Sequence, residues 1–108
     1  MKRVIVESPF AGDRETNIKY LKRCLIDCLD RGESPYASHL FFPQFLDDDV
    51  PEERMMGIEA GLEWGSVAEL TVVYDDLGVT EGMEQGINAA VDAGRLLEFR
   101  SLPGFGDE

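Results

Sequence analysis

Four short apolar runs, separated by three helical stripes, decide most of what this chain can fold into. Lys2 to Glu7 (KRVIVE) alternates little and is rich in Val and Ile, as a strand covered on both faces is. Glu33 to Leu40 holds a short second strand with its loop, Glu69 to Tyr74 a third strand, and Leu96 to Arg100 a fourth. Arg14 to about Arg31 sets Ile18, Leu21, Leu25, Cys28 and Leu29 on one helical stripe, with Asp13 as its N-cap and Gly32 closing it. A second helix starts at Asp49-Val50-Pro51-Glu52, which has the form of a capping box, and runs to about Trp64 with Met55, Ile58, Glu59 and Leu62 on one face. The third, Glu81 to about Ala93, takes Thr80 as its cap, packs through Met83, Ile87, Ala90 and Val91, and stops at Gly94.

The order is β-α-β-α-β-α-β. Strands alternating with helices over short connections require a parallel sheet covered on both faces. Right-handed crossovers then give an α/β three-layer sandwich, Rossmann-like or flavodoxin-like, with four parallel strands in the order 2-1-3-4. Residues 1–108 are expected to form one domain, because a chain of 108 residues holds one modest core. The switch point falls between the first and third strands. The loops after those strands, Ser8–Asp13 and Asp75–Thr80, are expected to face each other across a cleft.

Charge narrows the partners. Ten Lys and Arg stand against 22 Asp and Glu, a formal net charge of −12. That field repels polyanions, so a nucleic-acid polymer or an anionic membrane is not the expected partner; a small neutral or cationic ligand is easier to accommodate. No apolar run reaches the roughly 20 residues that cross a bilayer. The N-terminus reads as a first strand and not a signal peptide, so a cytoplasmic location is expected. Cys24 and Cys28 share one helix face and are taken as small buried hydrophobes, and His39 is the only histidine. Leu40–Leu46 (LFFPQFL) is either a core-covering loop or an exposed patch used in self-association. A homodimer or higher homo-oligomer is expected. The tail from Ser101 to Glu108 is expected to be loose.

The stretch richest in chemistry is Asp75-Asp76-Leu77-Gly78-Val79-Thr80-Glu81-Gly82-Met83-Glu84, the crossing from third strand to third helix. Glu84 lies in the first helical turn, which favours an ionised carboxylate. Such a group in a cleft can attack an electrophilic carbon or take a proton, and several carboxylates around one anomeric carbon are what glycosyl transfer uses. Acidic residues at helix starts are also common as plain capping aids. Glu59 likewise is either a carboxylate at the edge of its stripe or a site group. Ser8-Pro9-Phe10-Ala11-Gly12 lacks G-x-G-x-x-G and no Walker motif exists, which disfavours nicotinamide cofactors and P-loop hydrolysis.

Gly82-Met83-Glu84-Gln85-Gly86-Ile87-Asn88-Ala89, followed by Gly94-Arg95, resembles the GMELGYA…GK segment of the nucleoside 2-deoxyribosyltransferase family. In that family this Glu is the nucleophile that forms a glycosyl-enzyme intermediate, so the resemblance implies that role for Glu84. Asp76-Leu77-Gly78 resembles the family's DxG, whose Asp contacts the nucleoside, and Ser8-Pro9-Phe10 resembles its SPF. Asn17 and Arg31-Gly32 are similar to the wider group of small phage and bacterial proteins of this type. The expectation is N-glycosidic bond transfer or hydrolysis on a nucleoside or nucleotide. Glu84 and Asp76 are the catalytic pair. Ser8, Pro9, Phe10, Gly12, His39, Asp75, Gly78 and Gly82 contact the ligand, and no metal or organic cofactor takes part. The alternative is a non-catalytic nucleotide or nucleotide-signal binding protein, a sensor or sponge, of the same fold.

Overall fold

In the computed structural model, which describes residues 1–105, the chain forms one four-stranded parallel sheet in the order β2-β1-β3-β4. The strands are β1 (Lys2–Glu7), β2 (Glu33–Tyr36), β3 (Leu70–Tyr74) and β4 (Leu96–Arg100). The helices are α1 (Arg14–Asp30), α2 (Ser38–Phe41), α3 (Pro51–Gly65) and α4 (Glu81–Asp92), with a 3-10 turn at Phe42–Gln44. Val4 pairs with both Pro35 and Leu70, and Leu70 with Leu96, so one row crosses the whole sheet. The parallel class and the strand order follow the sequence pattern.

Alternation along β1 divides the sheet's faces. Val4 and Val6 point to α1, where they pack with Tyr20, Leu21, Cys24, Cys28, Leu70, Val72 and Tyr74 in the main core. Ile5 and Glu7 point the other way, toward α3 and α4. The core face is tied by a buried polar network. Arg100 donates to both carboxylate oxygens of Glu33, at 2.7 and 2.6 Å, and to the Tyr74 hydroxyl at 3.3 Å. Tyr74 in turn donates to Asp27 at 2.6 Å. The hydrogen bonds from Arg100 hold the Glu33 carboxyl below its ordinary range, and the same pair pushes the guanidinium up. This staple joins the end of β4 to the start of β2.

Several local expectations need correction. The second helix has no capping box: Val50 occupies the N-cap without a side-chain bond, and Glu53 instead accepts from the Asp47 backbone N–H at 3.0 Å. Its stripe of Met55, Ile58 and Leu62 is not buried in the core; only Gly65 of α3 is buried. The side of α3 that meets the rest of the molecule carries Gly57, Gly61 and Gly65 at four-residue spacing. A Cβ on Gly61 would sit 2.7 Å from the Ser38 Cβ, and one on Gly57 3.2 Å from the Phe42 Cβ. These glycines let Ser38–Leu46 lie directly across the helix. That segment is not a loop but α2 and the 3-10 turn, with Phe41, Phe42 and Phe45 stacked edge to face and Phe41 and Phe45 exposed. The tail is docked and not loose over its described part: Leu102 is buried and the Phe105 ring meets Tyr20 edge-on at 5.6 Å. Residues 106–108 lie outside the described residues. Among the described residues no helix is long and apolar enough to cross a membrane.

Candidate functional site

On the sheet face opposite α1, a cavity of about 570 Å³ opens between β1, the Ser38–Leu46 segment, α3 and α4. Its walls are apolar where Phe42, Pro43, Leu46, Ile58 and Leu62 approach and polar where β1 ends. The glycine face of α3 provides the room, since all three of its glycines line the space.

Glu7 is the last residue of β1 and shares the cavity face with Ile5. Its carboxylate rests against the backbone of α4 at Gly86. A Cβ there would lie 2.2 Å from the Glu7 Oε2 and 2.3 Å from its Cδ, closer than real side chains approach. Burial pushes the Glu7 carboxyl up from 4.5 to about 7, against the pull of Arg95. Arg95 itself donates to Thr71 Oγ1 at 3.2 Å. Glu7 is thus half protonated near neutral pH, the condition that suits a general acid or base.

Next to Glu7, the buried Ser8 hydroxyl lies 2.8 Å from His39 Nε2, and the Phe10 ring meets the imidazole edge-on at 6.3 Å. Burial drops the His39 pKa to about 4, so the ring is neutral at physiological pH. Among the described residues no carboxylate bonds to the other His39 nitrogen. Asn17 on α1 holds the β1–α1 loop by donating to the Phe10 and Ala11 carbonyls, both at 3.1 Å. Tyr36 also lines the cavity, and its buried hydroxyl has no hydrogen-bond partner among the described residues. Nor do the described residues include a group of three or more His, Cys, Asp or Glu placed to hold a metal ion.

The structure brings some of the expected site residues here and leaves others elsewhere. Ser8, Phe10, His39 and Gly82 line the cavity; Pro9, Gly12, Asp75, Gly78, Asp76 and Glu84 do not. Asp76 turns to the α1 face, where its carboxylate accepts from the Tyr20 hydroxyl at 2.7 Å and from the Leu102 N–H at 2.9 Å. It is a fastener for the tail. Glu84 is exposed. Thr80 caps α4 by accepting from Met83 N at 3.2 Å, which fixes the helix's rotation. Glu81, Gly82, Met83, Gln85, Gly86 and Ala89 of α4 line the cavity, and Glu84 does not. Glu59 is exposed and outside the cavity as well. Sequence reasoning missed Glu7, Arg95, Tyr36 and Gly86. A carboxylate two residues after Ile5, directly behind the Val4–Val6 run, was the signal for Glu7.

Residues 2–100 match the family described as Domain of unknown function (DUF7768). The chain belongs to that family. No curated protein sequence matches it. Among solved structures it is similar to the 2-deoxyribosyltransferase from the psychrotolerant bacterium Bacillus psychrosaccharolyticus, described as a biocatalyst for synthesis of antiviral and antitumoral nucleosides. The TM-score is 0.70 and the identity 17%, over 92% of this chain and 72% of that one. At that identity the likeness is one of fold, and it agrees with the parallel sheet and its order.

Proposed function

We propose that the protein binds a nucleoside or nucleotide in this cavity and hydrolyses or transfers its N-glycosidic bond, with Glu7 as the carboxylate that moves the proton. The observation that carries the reading is the Glu7 carboxylate, set against Gly86 inside a cavity large enough for a nucleoside, on a fold shared with a deoxyribosyltransferase. In hydrolysis the C1′–N bond breaks and its electron pair stays with the base nitrogen. Protonated Glu7 gives its proton to that nitrogen. Water bonds to C1′ and returns a proton to Glu7, so the carboxyl is regenerated. In transfer, a second base takes the place of water. The apolar wall at Phe42, Pro43 and Leu46 provides a surface for the base, and the Ser8–His39 pair presents polar atoms to the sugar.

Glu84 is exposed and outside the cavity lining, which favours a second reading, binding without turnover. One experiment separates the two. The protein is incubated with a panel of nucleosides and nucleotides, with and without a second base, and the products are resolved by chromatography. Released or exchanged base supports the enzyme. Thermal stabilisation by a ligand recovered unchanged supports the binding protein. Neither result with folded protein refutes both.

A further inference from the structure

Resting on the nucleoside reading above, we propose that Tyr36 is a specificity-determining residue. Its hydroxyl pairs with the edge of the base remote from C1′, so the cavity takes nucleosides that carry hydrogen-bonding atoms there. Tyr36 ends β2 and pairs with Ile5 of β1, so its side chain stands on the sheet face that carries Ile5 and Glu7. It lines the cavity. Its hydroxyl oxygen is buried, and it is the one buried side-chain nitrogen or oxygen without a hydrogen-bond partner among the described residues. A buried hydroxyl left in that state gives up water and gains nothing in exchange, which destabilises the fold; such groups are therefore almost always paired. The other two tyrosines are paired: Tyr74 donates to Asp27 at 2.6 Å and Tyr20 to Asp76 at 2.7 Å. Tyr36 departs from the rule at the wall of the cavity, where a ligand can supply the partner. The residue as a whole is partly exposed, so its ring has room to turn the oxygen toward that partner.

Depth decides which part of a nucleoside meets this hydroxyl. Glu7 ends β1, and the Ser8–His39 pair lies beside it. Tyr36 shares its row with Ile5, two residues back along β1, which is about 6.6 Å deeper at roughly 3.3 Å per residue. On its other side Ile5 pairs with Thr71, whose hydroxyl already accepts from Arg95 at 3.2 Å. The glycine face of α3 descends in the same order. A Cβ on Gly61 would meet Ser38 and Phe42, and one on Gly65 would meet Ile5 at 3.9 Å. With C1′ at Glu7 and the base against Phe42, the remote edge of the base points down toward the row of Tyr36. The apolar side chains of Ile5, Ile58 and Leu62 in the lining offer no competing polar atom. One hydrogen bond in such surroundings discriminates strongly, because an analogue without the matching atom leaves the hydroxyl unpaired. A phenol both donates and accepts, so a carbonyl, an amino group or a ring nitrogen each satisfies it.

The test is calorimetric titration of wild type and Tyr36→Phe with nucleosides paired by shape. Adenosine and inosine are set against benzimidazole riboside, whose six-membered ring has no heteroatom. Uridine and cytidine are set against the riboside of 2-pyridone, which lacks the polar atoms of the remote edge. Wild type is expected to bind its preferred natural nucleoside about tenfold or more tightly than the matched analogue. Tyr36→Phe is expected to lose that preference while binding the analogue as wild type does. Without ligand, Tyr36→Phe is expected to melt no lower than wild type, because the change removes an unpaired hydroxyl; a hydroxyl with a merely structural role would lower the melting temperature when lost. A preference that Tyr36→Phe keeps, or that wild type lacks, overturns this inference and leaves the nucleoside reading standing, and so does a lower melting temperature of the ligand-free variant. Binding of no nucleoside by folded wild type overturns both.

Discussion

Replacing Glu7 by Gln isolates the energetic cost of keeping a carboxyl in the cavity. The folded pKa of Glu7 is raised from 4.5 to about 7 by burial. A raised folded pKa means that the group's contribution is fully present below its unfolded value and is lost as pH rises through the folded one. At about 1.4 kcal/mol per pH unit, the loss between about pH 4 and pH 8 is about 3 kcal/mol. That is a large share of the roughly 5–15 kcal/mol that holds a domain of this size together. His39 runs in the opposite sense. Its folded pKa is depressed from 6.5 to about 4, so its contribution is present above 6.5 and is lost as pH falls toward 4. The two nearly cancel in wild-type protein over this window, so the wild-type curve alone hides both. The difference between Glu7→Gln and wild type does not, because every other group subtracts out. Urea unfolding of both proteins should show the variant gaining about 3 kcal/mol on wild type between about pH 4 and pH 8. A difference that stays constant within about 0.5 kcal/mol across that range refutes the buried-carboxyl reasoning.

Other consequences are equally direct. Gly86→Ala gains about 0.5–1 kcal/mol of helix propensity but drives its methyl into the Glu7 carboxylate. Stability by thermal melting should change by less than about 1 kcal/mol, since the side chain can rotate away at about 0.5–1.5 kcal/mol, while ligand binding or turnover is lost. Arg100→Met leaves Glu33 buried without its charge partner and should cost about 3–5 kcal/mol in urea unfolding. The double variant with Glu33→Gln should recover part of that loss. Turnover of a neutral nucleoside, which needs protonated Glu7, should fall as pH rises through about 7 in a pH–rate profile.

The sequence patterns that carried over to the structure are those governed by local periodicity. The Val and Ile runs of β1 and β3, the stripe of α1 and the Thr80 cap all depend on neighbours within a few residues, and the parallel order follows from their alternation. The site was less legible because its shape is set by contacts distant in sequence. Leu40–Gln44 form helical and 3-10 turns that lie close against Gly57 and Gly61 of α3, a contact distant in sequence. Asp76 looked like a site group from its loop position, yet Tyr20 and Leu102, 56 and 26 residues away, turn it to the other face. Glu84 was placed by motif, but the helix's rotation presents Gly82, Gln85 and Gly86 to the cavity instead. The glycine of that motif, Gly86, has its own local meaning as the seat of the Glu7 carboxylate.

The central claim is that the working carboxylate belongs to β1 and not to the first turn of α4. Chromatographic assay of wild type, Glu7→Gln and Glu84→Gln on the same nucleoside panel, all confirmed folded, tests it most directly. The account predicts that Glu7→Gln abolishes base release or exchange while Glu84→Gln retains it. Full activity in Glu7→Gln together with loss in Glu84→Gln contradicts the account and returns the chemistry to the outer face of α4.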